Sequence, residues 1–372
     1  MPRTFRIGII GSTGRGDYGH GLDTAFAGLT DVELAAVADD NATGLQRAGQ
    51  RLKIKRLYRD FRDMFARERL DIVCIGPTWV TDRVAMVEAA ARAGCHIYCE
   101  KPMAGDLVSA DAMLAACRKA NVKIAIAHQW RAMPPIRRAF ENIAAGKYGQ
   151  VLRMRARAKD DRRGGGEELI VHGTHWFDLM MAFAGRPRWV SGHIAVKGRD
   201  ATAKDATQGT QPVGPIAGDS ISAMFGFDRG ARGYFDSTAN LFRQGVGFAD
   251  LYGVQIECER VLLQVRQPGD IYVYPAPVVQ PENDKFRWEK LWVENWHYTA
   301  DHKPRPMRDW IHRGNQTLAR DLMHAIVNNR EPLTDGHEVL HVMEMIQGVY
   351  ASHLDAGRRL PIPLKQRRHP LA

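Results

Sequence analysis

The triplet Glu100-Lys101-Pro102 sets a carboxylate beside an ammonium at the end of a short apolar run, His96 to Cys99. Proline fixes its own backbone and holds the residue before it extended. A lysine so placed can hydrogen-bond a substrate hydroxyl and lower the cost of its deprotonation. Further upstream, the apolar run Phe5 to Ile10 leads into Gly11-Ser12-Thr13-Gly14-Arg15-Gly16-Asp17-Tyr18-Gly19. Glycines there permit a tight turn and a close backbone approach to a pyrophosphate. A helix starting after them would add free N–H groups and partial positive charge. A strict G-x-G-x-x-G lies at Gly14, Gly16 and Gly19, later than usual; the better-placed frame, Gly11-x-Thr13-x-x-Gly16, has Thr in second position. The expected phosphate loop is therefore long, with Gly11, Ser12, Thr13, Gly14, Arg15 and Gly16 as cofactor contacts. Asp39 ends a second apolar run, where a carboxylate can accept both ribose hydroxyls of an adenosine. Its charge would repel a 2′-phosphate, so NAD is expected over NADP, with Arg47 and Arg51 downstream as softening charges.

These residues need a scaffold that brings strand ends together. Apolar runs at Phe5–Ile10, Leu34–Ala38, Ile72–Ile75, His96–Cys99 and Lys123–Ala127 read as buried strands. Between them, Leu22, Phe26 and Leu29 repeat at helical spacing. Thr81–Ala93 reads as a helix with Thr81 as N-cap and Gly94 as its stop, and Asp106 caps another carrying Leu107, Ala110, Leu114 and Cys117 on one face. Strand, helix, strand at this spacing predicts a parallel sheet covered on both faces. After Met133-Pro134-Pro135 the pattern changes. A short helix, Ile136 to Ala145, precedes strands at Val151–Ala158, Trp189–Val196, Ile221–Phe227, Ala231–Thr238, Leu251–Cys258 and Val261–Val265, several of them alternating. One strong helix, Leu169 to Phe183, interrupts them. Gly198–Gly218 reads as a surface loop, and helices return near Thr317–Asn328 and His337–Ala356. The predicted fold class is an α/β Rossmann domain, residues 1–130, plus an α+β domain with an open, mainly antiparallel sheet, residues 131–372, whose C-terminal segment is free to pack back on the first.

Length and composition agree with this. The 372 residues are 45% hydrophobic and 25% charged, ordinary for a globular protein. Lys plus Arg is 52 against 42 Asp plus Glu, a net +10 that favours anionic partners without a basic run or recognition motif for nucleic acid. Five cysteines with no C-x-x-C spacing argue against a zinc ribbon or disulfide framework. No signal-type h-region opens the chain, and no run reaches the roughly 18 apolar residues of a membrane helix. A soluble, cytoplasmic protein is expected.

The glycine loop, Asp39, Gly76-Pro77 after the third run and Glu100-Lys101-Pro102 together resemble the glucose–fructose oxidoreductase / inositol dehydrogenase / rhizopine catabolism (Gfo/Idh/MocA) family. The resemblance continues through Gly164-Gly165-Gly166-Glu167-Glu168-Leu169, Gly173-Thr174-His175-Trp176-Phe177-Asp178 and Glu331-Pro332. It implies hydride transfer between a nicotinamide and a carbinol of a sugar, sugar derivative or cyclitol. It also implies an open sheet used for oligomer contact, in a dimer or tetramer. Pro77, Glu100 and Lys101 join the cofactor set. Lys101 corresponds to the active-site lysine and His175 to the histidine that takes the hydroxyl proton. Gln129 and Arg131 follow the fifth run, where the family often contacts substrate. The family's usual Asp of Asp-x-Gly-x-His is here Val171, with His172 beside it, and Asp178 one turn on is a candidate to orient His175. Trp79 replaces the family's frequent loop residues and can pack on a nicotinamide or sugar face.

Oxidising a secondary alcohol removes a hydride and a proton, and the proton needs a base within hydrogen-bond reach. Histidine, with an unperturbed pKa near 6.5, suits that role, and a nearby Lys101 would lower that pKa and stabilise a developing alkoxide. Glu168, His172 and His175 at i, i+4 and i+7 have zinc-like spacing, but nothing supplies the rest of a shell, so Glu168 and His172 are read as substrate contacts and no metal is expected. Arg153, Arg155, Arg157, Lys159, Arg162 and Arg163 read as a solvated or intersubunit sheet face, with an acidic sugar or sugar phosphate as the alternative, and Trp288, Trp292, Trp296 and Trp310 read as core or interface packing or as sugar-stacking rings. Two other functions share the motifs: an NAD-retaining glycoside hydrolase or lyase working by transient oxidation, and a non-catalytic NAD- or sugar-binding protein.

Overall fold

A computed structural model describes residues 4–241, 252–267, 269–280, 285–305 and 309–372. The chain forms two compact units. The first comprises Met1–Gln129, Gln211–Gly214 and Ile311–Leu340; the second comprises Trp130–Thr210, Pro215–Trp310 and His341–Ala372.

The first unit is built on β1 (Phe5–Gly11), β2 (Val32–Asp39), β3 (Leu57–Tyr58), β4 (Ile72–Ile75), β5 (His96–Cys99) and β6 (Ile124–Ile126). Their spatial order is β3-β2-β1-β4-β5-β6, and every neighbouring pair is parallel. The order reverses direction at β1/β4, so the C-terminal ends of these strands open on the crevice where such sheets take ligands. The uninterrupted apolar runs follow from burial on both faces: all four residues of β4 are buried. Helices α1 (Ala42–Leu52), α2 (Phe61–Arg67), α3 (Arg83–Arg92) and α4 (Leu107–Ala120) connect the strands. Asn41 and Asp60 cap α1 and α2, and Asp106 caps α4 as the sequence predicts, accepting from Ser109 N at 2.7 Å. The third part of this unit is tied in by polar contacts. Tyr98 Oη donates to Asn315 Oδ1 at 2.8 Å, and Ile126 N donates to Thr334 O at 3.0 Å.

Two local expectations here are corrected. The helical spacing of Leu22, Phe26 and Leu29 does not become an α-helix; only the 3₁₀ turn Leu22–Thr24 forms. Gly21 and Gly28, with φ of 78° and 72°, bracket the segment in left-handed backbone that a right-handed helix does not admit. At α3 the N-cap position belongs to Asp82, not Thr81. The Asp82 side chain makes no cap bond and pairs instead with Arg15 Nη2 at 2.9 Å.

The second unit begins with α5 (Pro134–Ala144), which takes both prolines into its first turn, and then β7 (Val151–Arg157). Helices α6 (Gly166–Val171) and α7 (Gly173–Ala184) follow. The strands are β8 (Pro187–Val196), β9 (Arg199–Asp200), β10 (Thr207–Gln208), β11 (Pro215–Ile216), β12 (Ser220–Phe227), β13 (Arg232–Thr238), β14 (Gly253–Cys258), β15 (Leu262–Arg266), β16 (Asp270–Tyr274), β17 (Glu289–Lys290) and β18 (Leu360–Pro361). Among the described residues the large sheet runs β17-β16-β15-β14-β7-β13-β12-β8-β18, with β9 on β8. Its pairs are antiparallel except β7–β13, which is parallel. Alternating burial along β13, buried at Gly233, Phe235 and Ser237, gives one packed and one open face. The predicted strand from Leu251 begins at Gly253, Leu251 itself lying outside the described residues. The predicted loop Gly198–Gly218 contains the small β10–β11 pair.

The expected single helix Leu169–Phe183 is two helices that meet at His172. His172 N closes α6 on Glu168 O at 3.1 Å, and its own carbonyl accepts from His175 N at 2.9 Å. The helices Trp310–Val327 and Gly336–Leu354 lie near the predicted positions. No helix among the described residues is long and apolar enough to cross a membrane.

Candidate functional site

The glycine-rich segment folds back on itself. Ser12 and Asp17 form an antiparallel bridge, with Ser12 N donating to Asp17 O at 3.0 Å and Asp17 N to Ser12 O at 3.0 Å. Arg15 N donates to Ser12 O at 2.9 Å, Gly14 N to Asp17 Oδ1 at 2.9 Å, and Thr13 N to Asp39 Oδ1 at 3.1 Å. The amides of Ser12, Thr13, Gly14 and Arg15 thus have partners inside the chain. The glycines serve close packing: a Cβ on Gly11 would lie 2.3 Å from the Tyr18 ring, and one on Gly16 would lie 2.6 Å from Thr78 N.

Asp39 is buried and holds this loop. Its carboxylate accepts from Thr13 N, from Thr13 Oγ1 at 2.6 Å, from Tyr18 Oη at 2.8 Å and from Asn41 N at 2.9 Å. Burial and the Asp39 charge push the Tyr18 hydroxyl far above its ordinary pKa, so it stays a donor. Asp40, the next residue, is the exposed carboxylate; it accepts from Ser12 Oγ at 2.9 Å and pairs with Arg15 at 3.3 Å. A cavity of about 230 Å³ opens here, lined by Gly11, Ser12, Asp39 and Asp40, by Arg59 to Arg62, and by Asp82, Ala85 and Met86.

At the end of β5, Glu100, Lys101 and Pro102 are all buried. The Glu100 carboxylate accepts from His20 N at 3.1 Å and from Lys101 N at 3.1 Å, and it lies 2.9 Å from His20 Nδ1. Burial raises its pKa, but His20 and Lys101 together outweigh burial and leave it below the ordinary value. Glu100 is therefore an internal anchor rather than an open contact. Pro77 is buried, and Trp79 is half-exposed, with Arg15 at 6.0 Å from its ring centroid. Gln129, also buried, packs against Gly314.

In the second unit, His175 stands in the first turn of α7, 5% exposed, with its ring 6.5 Å from that of Trp130. Trp130 also meets Trp176 at 5.0 Å and Trp310 at 5.3 Å, and Trp176 meets Tyr252 at 4.9 Å. Arg131 and Asp178, both read from sequence as reaching substrate or His175, grip each other. Arg131 Nη2 lies 2.8 Å from Asp178 Oδ1, and Arg131 Nε donates to Oδ2 at 3.1 Å. Glu168 and His172 likewise pair, Nδ1 to Oε2, at 2.6 Å across the last turn of α6. Arg163 approaches the other Glu168 oxygen at 3.4 Å. Burial raises the Glu168 carboxyl, but His172, Arg163 and Lys159 outweigh burial and hold it low. Burial lowers the Lys159 ammonium, whose Nζ lies 5.9 Å from the Tyr252 ring. No three-carboxylate, histidine or cysteine group able to hold a metal occurs among the described residues.

The sequence reading missed Tyr18, His20, Arg83 and Tyr252; Lys159 and Arg163, read as part of a basic sheet face, lie beyond the end of β7. Tyr18 and His20 sit inside the quoted glycine segment, where attention to non-glycine residues would have found them. Arg83 gives no local signal, because its partners are main-chain carbonyls.

The family described as "Oxidoreductase family, NAD-binding Rossmann fold" matches residues 5–128. A D-apiose dehydrogenase from Paraburkholderia graminis is 37% identical over 125 residues, 34% of this chain and 33% of that protein. The rhizopine catabolism protein MocA of Rhizobium meliloti is 29% identical over 237 residues, 62% of this chain and 69% of its own. An oxidoreductase from Agrobacterium radiobacter, solved in complex with NAD+, L-tartaric acid and magnesium, superposes with a TM-score of 0.73 at 19% identity, over 96% of this chain and 98% of that one. The first relative is thus matched over only a third of its length. Residues 5–128, the Rossmann unit's strands, are thus what the chain shares with the Gfo/Idh/MocA oxidoreductases.

Proposed function

We propose that the protein is an NAD-dependent dehydrogenase that moves a hydride between a nicotinamide and a secondary alcohol of a sugar, sugar derivative or cyclitol. The observation that carries this reading is the crest of the parallel sheet, where one run of strand ends holds both the cavity at Asp39/Asp40 and the buried Lys101. The cavity fits one end of a dinucleotide: at about 230 Å³ it is smaller than pockets for whole ligands, which begin near 300 Å³. Its lining carries Asp39, Asp40, Asp60 and Asp82 against Arg59 and Arg62, an acidic balance that favours ribose hydroxyls over a 2′-phosphate. Asp40, being exposed, is the carboxylate we assign to the ribose.

When bound, the nicotinamide supplies the hydride acceptor. The protein's own groups handle the proton. In this reading His175 takes a hydroxyl proton, and the Lys101 ammonium hydrogen-bonds a substrate oxygen and stabilises charge developing on it. Trp130, packed on Trp176, presents its ring toward His175, which is 5% exposed. Trp79 offers an apolar ring to nicotinamide or sugar, and Glu168 and His172 act as a paired polar wall. The relatives named above support the substrate class: one is called an apiose dehydrogenase and one a rhizopine catabolism protein. The reading carries with it a cytoplasmic homo-oligomer.

Absorbance at 340 nm across a panel of sugars and cyclitols, with NAD and NADP in parallel, is the test. Turnover with NAD that falls at least about 10²-fold in His175→Ala supports the reading. Turnover untouched by that change removes His175 from the mechanism. Product formed without net NADH replaces the dehydrogenase with a transient-oxidation hydrolase or lyase.

A further inference from the structure

Arg83 opens α3 and is 1% exposed. Among the described residues no carboxylate pairs with it, and its Nε has no partner. A buried guanidinium without an anion is expensive unless hydrogen bonds replace water. All its bonds go to main-chain oxygens on two loops. Nη1 donates to Glu100 O at 2.7 Å and to Pro102 O. Nη2 donates to Pro77 O and to Trp79 O at 3.4 Å. The carbonyls of Glu100 and Pro102 stand directly before and after Lys101. Those of Pro77 and Trp79 stand on either side of Thr78, whose own N donates to Gly16 O at 3.1 Å.

We infer that Arg83 is a positioning residue, a single cation that clamps the loop after β4 to the loop after β5 and fixes the backbone from which Lys101 reaches the reacting oxygen. The geometry explains why arginine stands there. A planar fork with several N–H groups can meet carbonyls on two loops at once, whereas the lysine ammonium is a single point on a flexible stem. An apolar side chain would fill the space but leave three buried oxygens, and the part-buried Trp79 O, without this donor. The clamp acts on the catalytic lysine from both sides of its residue, while the Lys101 amide is held by the Glu100 carboxylate. The glycine loop is joined through Thr78, so three strand-end segments share one rigid frame.

The inference rests on Lys101 serving the reaction, and the experiment separates the two claims. Arg83→Met and Arg83→Lys are compared with Lys101→Met in the full-length protein. Three quantities are read: kcat, NAD affinity by fluorescence titration without substrate, and amide hydrogen exchange of the 76–80 and 99–104 segments. For Arg83→Met we expect kcat to fall by about 10²-fold, the loss that a displacement near 1 Å produces. NAD affinity should fall far less than kcat, and exchange should rise in both loops together but not in β1. Arg83→Lys should recover part of kcat, and guanidinium ions added to Arg83→Met should restore some of it. Where Arg83→Met does not accumulate as folded protein, Arg83→Lys reads the same split. A lysine variant with wild-type kcat and unchanged exchange in both loops overturns the clamp, as does a variant that loses thermal stability alone. If Lys101→Met turns over normally, the catalytic reading itself fails, and the exchange data still decide whether the clamp exists.

Discussion

Tyr18 and Asp39 face each other inside the first unit, the hydroxyl donating to the carboxylate at 2.8 Å, with Thr13 and Asn41 supplying the other donors. The residue that reads as the ribose acceptor is thereby the keystone of the glycine loop. Tyr18→Phe leaves a buried carboxylate short of one donor and should lower stability by about 1.5–3 kcal/mol. NAD affinity should fall with it, because the loop loosens, yet the preference for NAD over NADP should not change. Asp40→Ala should do the reverse, weakening NAD affinity and narrowing that preference with little effect on unfolding. Denaturant titration and cofactor binding measured on the two variants separate these outcomes.

The Arg131–Asp178 pair is buried on both sides. Removing one member strands a charge, so Asp178→Asn should destabilise the second unit by about 3–5 kcal/mol. The double change Arg131→Met with Asp178→Leu should be far milder than the sum of its parts, as expected of a directly coupled pair. Urea unfolding of the singles and the double tests this. Additive losses would mean that the two residues act separately.

Acid stability follows from two glutamates. Glu100 and Glu168 are buried, yet their partners hold both carboxyls below the ordinary value. The unfolded chain then binds protons that the folded chain does not. Their stabilisation is complete above the ordinary glutamate value, about 4.3, and is lost as pH falls through the lowered folded values. The thermal midpoint should drop steeply on acidification through that window. Glu168→Gln should start lower at pH 7 and show a flatter fall; a parallel curve would assign the acid loss to other groups.

All five cysteines are free and buried. Burial pushes Cys99 up to about 11 and Cys95 and Cys117 up to about 12, so thiolate is scarce at neutral pH. An aromatic disulfide reagent should find no reactive thiol in the native protein and five in denaturant. A fast-reacting native thiol would contradict this packing.

The sheet skeleton was legible because its signal is local. A fully buried parallel strand is a short apolar run, and Ile72–Ile75 and His96–Cys99 fall where the sequence places them. Sequence spacing also led directly to Lys101 and Asp39, since both close such runs. What stayed hidden depends on partners far along the chain. The apparent helix after Gly19 fails because left-handed Gly21 and Gly28 bracket the segment. The break at His172 had no visible marker beyond Gly173. Asp39 read as open because Tyr18 and Thr13 reach it only once the loop has folded back, and Arg83 read as an ordinary helix residue because carbonyl partners leave no trace in side-chain identity.

The first unit borrows its last pieces from the far end of the chain: Asn315 receives Tyr98 and holds His20 O, and Thr334 receives Ile126. A ribosome that has released only 130 residues has therefore delivered every strand of the first sheet but none of these closing contacts. The nascent unit must wait, partly open, while the whole second unit is synthesised. Its exposed apolar edge is then a point of chaperone dependence, and truncations that look like a natural boundary near residue 130 should yield insoluble protein unless the 311–340 segment is supplied.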